Sequence, residues 1–134
     1  MAQEKEIART IRLGQRPDGI PEVVKFKLLD GGDAMLPVTF KYRTLTEFGA
    51  LLDEVFGQSL DAETDLQGKL SSKSLQQQRV QFNGQYLFAI FQNWGLDVPL
   101  TLPACIQLAD ELPGAAQAAM GLYRQLITEG RLGN

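Results

Sequence analysis

Gln85-Tyr86-Leu87-Phe88-Ala89-Ile90-Phe91-Gln92-Asn93-Trp94-Gly95 is the stretch on which the fold turns. Leu87, Ile90, Phe91 and Trp94 recur at i, i+3, i+4 and i+7, the spacing that lays one apolar stripe along an α-helix. The spacing therefore predicts an aromatic helix that runs through Trp94 and is ended by Gly95. Gly84 either bends that helix or marks its true beginning. Downstream, Thr101 offers a capping oxygen and Pro103 fits a first turn, where the N–H that proline lacks has no helical acceptor anyway. A second helix is expected from there to about Leu112. Pro113 starts a third, with Ala116, Ala119, Met120, Tyr123, Leu126 and Ile127 on one face and Gly130 where a left-handed cap commonly falls.

Upstream, the apolar period changes to two. Val24, Phe26 and Leu28 alternate with Lys25 and Lys27 over residues 22–29, and Val38, Phe40 and Tyr42 alternate with Thr39, Lys41 and Arg43 over residues 36–43. Such alternation marks half-buried strands. Asp30-Gly31-Gly32-Asp33 supplies the residues of a hairpin loop, so the strands should pair antiparallel. Pro37 has no N–H for a ladder and belongs at a strand start or on an edge. Residues 14–19 read as loop, and Ile11 and Leu13 flanking Arg12 suggest a short extra strand near Thr10 to Leu13.

Thr44-Leu45-Thr46-Glu47 matches a capping box, in which the Thr44 hydroxyl accepts from the Glu47 N–H and the Glu47 carboxylate accepts from the Thr44 N–H. A helix should follow to about Phe56, with Leu45, Phe48, Leu51, Leu52 and Val55 as its apolar stripe and Gly57 as its end. A hairpin alone is marginal in water, so this stripe should cover the Val24, Phe26, Phe40 and Tyr42 face. Residues 57–75 are dominated by Ser, Asp, Glu and Gly and read as a linker with at most one unstable helical turn.

The fold class is therefore α+β: a small N-terminal lobe of β-hairpin plus helix over residues 1–57, ββα or βββα, a flexible linker over 58–75, and a C-terminal helical lobe of about three helices over 76–134. One compact domain overall is expected, because 134 residues support a single ordinary core.

Composition narrows the function. Hydrophobic residues make up 44% and charged residues 22%, values typical of a globular chain, and no apolar run approaches the roughly 20 residues of a membrane span. The charged start, Met1-Ala2-Gln3-Glu4-Lys5-Glu6, leads into no apolar region of the kind a secretory signal needs, so a cytoplasmic protein is expected. Net charge is −3, which argues against a general nucleic-acid binder. Residues 1–43 carry eight Lys or Arg against six Asp or Glu, and residues 44–134 carry five against ten. Such a basic front and acidic back either favour head-to-tail contacts between copies or form a solvated surface.

Candidate chemistry is sparse. The absence of histidine removes most transition-metal sites, the Ser/His and Cys/His pairs and the usual proton shuttle. The single cysteine, Cys105, sits among apolar residues and reads as a small buried side chain. Asp53/Glu54 and Asp110/Glu111 are adjacent on predicted helices, so their carboxylates diverge by about 100° and do not converge on a substrate. Gly68-Lys69 lacks the earlier glycine of a phosphate loop, and Ser72-Lys73 lies in the linker. No catalytic, cofactor-binding or metal-binding residue is assigned. Trp94 reads either as a core anchor or as the aromatic anchor of a partner groove, and Lys25, Lys27, Lys41 and Arg43 read as a solvated strand face.

Two stretches carry a family resemblance: Val38-Thr39-Phe40-Lys41-Tyr42-Arg43-Thr44 running into Glu47-Phe48, and the sequence from Trp94 through Leu112-Pro113-Gly114-Ala115-Ala116 to Tyr123 and Arg131-Leu132-Gly133-Asn134. Through them the chain resembles the tail assembly chaperones of long-tailed bacteriophages and prophages. The resemblance implies a non-enzymatic protein of the bacterial host cytoplasm, without a cofactor. Its implied partners are the tape measure protein, which it coats and keeps soluble, and the tail tube protein, whose polymerisation it promotes; a homo-oligomer is the further partner that the uneven charge allows, with neither nucleic acid nor membrane involved. The candidate partner-binding residues are Phe91, Trp94, Leu96, Met120, Tyr123 and Ile127. A minor structural tail protein and a small adaptor unrelated to phage are the alternatives.

Overall fold

The two period-2 runs form an antiparallel hairpin, β1 (Ile20–Lys27) and β2 (Asp33–Phe40), in register from Ile20 opposite Phe40 to Lys27 opposite Asp33. The computed structural model describes residues 10–60 and 72–130. Both strands lie two or three residues earlier than the alternation alone predicts, because the turn takes Leu28 and Leu29 out of the ladder. The Leu28 N–H donates to the Gly32 carbonyl at 2.8 Å, the Gly31 N–H to the Leu28 carbonyl at 2.9 Å, and the Gly32 N–H to Asp30 Oδ1 at 2.8 Å. Asp33 is thereby already the first residue of β2.

The third strand is not where the sequence suggests. Residues 10–13 form no strand, and Ile11 and Leu13 are exposed. Instead β3 (Phe91–Trp94) pairs antiparallel with β2 to give the order β1-β2-β3. The helix predicted to run through Trp94 stops at Ile90, where α2 (Ser72–Ile90) passes into β3 without a loop. The Lys41 N–H donates to the Ile90 carbonyl at 2.7 Å, so an end carbonyl of α2 joins the sheet ladder and is not left an orphan.

The register explains why the helical reading was so plausible. Phe91 faces Phe40 and Asn93 faces Thr39, leaving Gln92 as the extra residue of a β-bulge. In a regular strand Phe91 and Trp94, three apart, would point to opposite faces. The bulge turns both to the side of Phe40 and Val38, reproducing the i, i+3 spacing of a helix.

Pro37 lies inside the central strand, fifth of the eight residues of β2, and not at a strand start or on an edge. It faces Val23 across β1, while its carbonyl accepts from the Gly95 N–H at 2.8 Å on the opposite side. A strand residue's N–H and C=O point the same way, so the missing donor is directed just past the end of β3, where it costs no bond between β2 and β1.

Four helices cover one side of the sheet. In α1 (Leu45–Leu60) the capping box closes as expected: the Glu47 N–H donates to Thr44 Oγ1 at 3.2 Å and the Thr44 N–H to Glu47 Oε1 at 2.9 Å. Phe48, Leu51 and Val55 are buried, whereas Leu45 is exposed. The helix continues past Gly57, since one interior glycine costs only about 1 kcal/mol and does not stop a helix by itself. Residues 61–71, within the expected linker, lie outside the described residues, as do 131–134.

Gly84 does not start α2, which begins twelve residues earlier at Ser72; it lets α3 (Leu102–Glu111) in. A Cβ added there would come 2.7 Å from Ile106 Cα and 2.4 Å from Ile106 Cγ1. α3 begins as predicted, with the Ala104 N–H donating to Thr101 Oγ1 at 3.2 Å and Pro103 in the first turn. α4 (Pro113–Glu129) buries Ala115, Ala116, Ala119 and Tyr123, and the Gly130 N–H closes it on the Leu126 carbonyl at φ 78°. Its small alanines let α4 pack closely below β1. All seven elements contribute to one buried cluster centred on Phe40, Phe91, Leu87, Ile90, Cys105 and Tyr123.

Candidate protein-interaction surface

Strand alternation sends Val24, Leu36, Val38 and Phe40 into the core and the odd-numbered residues to the other face. On a sheet covered on one side only, that outer row should be polar. Here it carries Pro21, Val23 and Lys25 on β1, Met35, Pro37 and Thr39 on β2, and Asn93 on β3. Val23 is 42% and Met35 67% exposed. Together with Glu22, Val38, Trp94 and Gly95 these residues line an open concavity of about 980 Å³ across the sheet.

Charge on this face is unevenly satisfied. Lys27 Nζ is held by Asp33, its cross-strand partner. Lys25, opposite Met35, is exposed and pairs with no carboxylate among the described residues. One rim of the concavity is fixed by Trp94, whose indole N–H donates to the Val98 carbonyl at 2.9 Å and closes the turn bearing Leu96 and Val98. Both of those side chains are exposed.

The six residues singled out in the sequence do not gather at one place. Phe91 and Tyr123 are buried, their rings 5.8 Å and 5.3 Å from that of Phe40. Trp94 is half-buried, its ring 6.0 Å from Phe91, and Leu96 follows it on the surface. Met120 and Ile127 are half-buried on α4, which packs chiefly against β1 and the other helices, away from β3 at the far edge of the sheet. The structure brings Phe91 together with Trp94 directly and with Tyr123 through Phe40, and Leu96 follows Trp94 in the chain; Met120 and Ile127 lie apart.

Val23, Met35 and Pro37 were not singled out. Their signal was legible: in each period-2 run the nominally polar row contains apolar residues, whereas attention to Lys25 and Lys27 makes it read as solvated.

The interior polar groups hold the scaffold. The Tyr123 hydroxyl donates to the Lys41 carbonyl at 2.9 Å and accepts from Arg43 Nη1 at 3.1 Å. Burial raises the Tyr123 pKa, opposed by the Arg43 hydrogen bond. Burial also pushes the Cys105 thiol up to about 12, which keeps it protonated and unreactive near neutral pH. On the surface, Arg16 bonds Glu47 at 2.8 Å and lies 5.0 Å from the centre of the Tyr42 ring. That hydrogen bond, then the one from the Thr44 backbone, holds the Glu47 carboxyl below its ordinary value.

Asp53, Glu54, Asp110 and Glu111 are all exposed on their helices. Among the described residues no three His, Cys, Asp or Glu side chains converge into a metal-holding group, and no helix is long and apolar enough to cross a membrane. The arrangement offers shape and apolar area for binding.

A family model described as phage tail assembly chaperone matches residues 4–134. No curated protein and no solved structure matches the chain.

Proposed function

The chain belongs to the phage tail assembly chaperone family and has a chaperone role in phage tail assembly, and we propose that its client is the tape measure protein. In this reading it binds the tape measure protein in the cytoplasm of the bacterial host, keeps that long chain soluble, and releases it as tail-tube subunits polymerise around it. It acts by binding and not by catalysis.

The observation that supports this reading is the outer face of the sheet, which no element among the described residues covers. Val23 and Met35 lie exposed there beside Pro21 and Pro37, apart from the buried core. A contiguous apolar patch with a polar rim is an aggregation liability unless a partner covers it. Trp94 lines its edge, where the ring adds apolar area beside a polar tip, and Leu96 follows on the adjoining turn. Phe91 and Tyr123 shape the surface from beneath, through Phe40.

Co-expression with the tape measure protein tests the proposal. A soluble complex that co-purifies is expected, with this chain missing from finished particles. An insoluble tape measure protein, and this chain recovered from purified virions, would replace the chaperone reading by that of a structural tail component.

A further inference from the structure

We propose that the outer face of the sheet docks a single amphipathic α-helix of the client, its apolar stripe lying on Val23, Met35 and Pro37 and an acidic side chain reaching Lys25. This rests on the chaperone reading above and names the surface and the chemistry it recognises.

Width favours one helix. Where β3 pairs with residues 38–40, three strands about 4.8 Å apart present a face roughly 10 Å across, the diameter of one α-helix with its side chains. Beside Lys25 and Met35 the face narrows to the two strands of the hairpin and has no room for a second helix. The eight residues of β1 extend about 26 Å, the length of roughly 17 helical residues. A helix on this face would complete a helix-sheet-helix stack over a sheet that the described residues cover on one side only.

The edges do not invite an extended strand. Val23 faces Pro37 and Lys25 faces Met35 as non-bonded pairs of the hairpin, so the N–H and C=O groups of these β1 residues point away from β2. Along that edge Pro21 has no donor, and Lys25 and Lys27 bring the charge and side-chain bulk that blunt strand addition. β3 is four residues long, and the open part of β2 beside it is interrupted by Pro37. Edges guarded and a face left apolar together select a partner that lies on the face, along the strands.

Charge then selects which helix. Lys27 is already neutralised by Asp33, whereas Lys25, beside Met35 and Val23, pairs with no carboxylate among the described residues. Alternation puts the exposed Lys41 on the same side at the other end. A helix with Asp or Glu flanking its apolar stripe gains a partly desolvated ion pair; a basic one meets like charge.

The test places a benzophenone photo-crosslinking side chain at position 35 of the full chain, co-expressed with the tape measure protein. Crosslinked residues spaced three and four apart are expected; spacing of two would identify an extended strand and overturn the proposal. In parallel, Met35→Glu in a protein whose circular dichroism is unchanged should weaken binding about tenfold or more. Lys25→Gln should flatten its salt dependence. Leu29→Glu, at the exposed hairpin tip, should leave binding unchanged. Wild-type binding together with full binding by Met35→Glu would remove this surface while leaving the chaperone reading intact. If the wild-type chain does not bind the tape measure protein at all, both readings fall.

Discussion

The Tyr123 hydroxyl donates to the Lys41 carbonyl across 2.9 Å, tying the middle of α4 to the residue that follows β2. The same oxygen accepts from Arg43, so one phenol anchors the connection between the sheet and α1. Tyr123→Phe keeps the ring against Phe40 and Phe48 but leaves the Lys41 carbonyl without this donor, and should lower stability by about 1–2 kcal/mol in urea unfolding. Tyr123→Asp puts a carboxyl where the side chain is fully buried and should cost at least about 3 kcal/mol. A folded Tyr123→Asp protein of near wild-type stability would contradict the placement of Tyr123 in the core.

Gly84 and Gly121 form a matched pair. Both are helical, but an added Cβ meets Ile106 backbone at Gly84 and nothing within 4 Å at Gly121. Gly121→Ala should stabilise by about 0.5–1 kcal/mol through helix propensity. Gly84→Ala should destabilise by about 1–3 kcal/mol despite the same propensity gain, because α3 must move away. Equal shifts in melting temperature for the two variants would rule out the close α2–α3 crossing.

Deleting Gln92 removes the bulge but keeps Phe91, Asn93 and Trp94 opposite Phe40, Thr39 and Val38, because a regular strand puts residues two apart on one face. Tryptophan emission should therefore stay that of the wild type. A red-shifted emission from a folded deletion variant would mean that Phe91–Trp94 is not held in this register.

Glu47 titrates below its ordinary 4.5 because Arg16 and the Thr44 N–H stabilise the carboxylate. A depressed folded pKa means that its contribution to stability is present above the unfolded value and fades as pH falls through the folded one. Carbon-detected NMR titration should find its midpoint under 4.5. Arg16→Ala should move that midpoint upward, and an unmoved midpoint would exclude Arg16 as the main cause.

Cys105 gives the opposite sign at the alkaline end. Its folded pKa of about 12 exceeds the ordinary 9.0, so above pH 9 the unfolded chain has released a proton that the folded chain retains. Stability should be level below that point and fall by about 1.4 kcal/mol per pH unit above it. A Cys105→Ala variant should lose that component of the slope. Thiol reagents should label the native protein only as fast as it unfolds; immediate labelling would place Cys105 at the surface.

Much of the fold was legible because the interactions behind it are local. The Thr44–Glu47 capping box, the Thr101 cap with Pro103 and the Pro113 start each satisfy helix-end groups within three or four residues. The alternation around Val24 and Phe40 likewise announces an inner and an outer face whatever lies against them. The surface was harder to read, since Val23, Met35 and Pro37 become a patch only when β1 and β2 are in register.

From its residues alone this chain was destined for an α+β fold: a hairpin with one apolar face, a capped helix to follow, and two proline-started helices near the C-terminus. Tertiary structure decided the rest. Whether Phe91–Trp94 would be helix or strand depended on the open edge of β2, which offers the Lys41 N–H and the Pro37 carbonyl to any backbone that arrives in register. Whether Gly84 was a flaw or a requirement depended on Ile106, and whether Tyr123 was groove or core depended on Phe40 and Lys41. Those partners lie far along the chain, and a periodic pattern reports only which way a side chain points, never what will be waiting there.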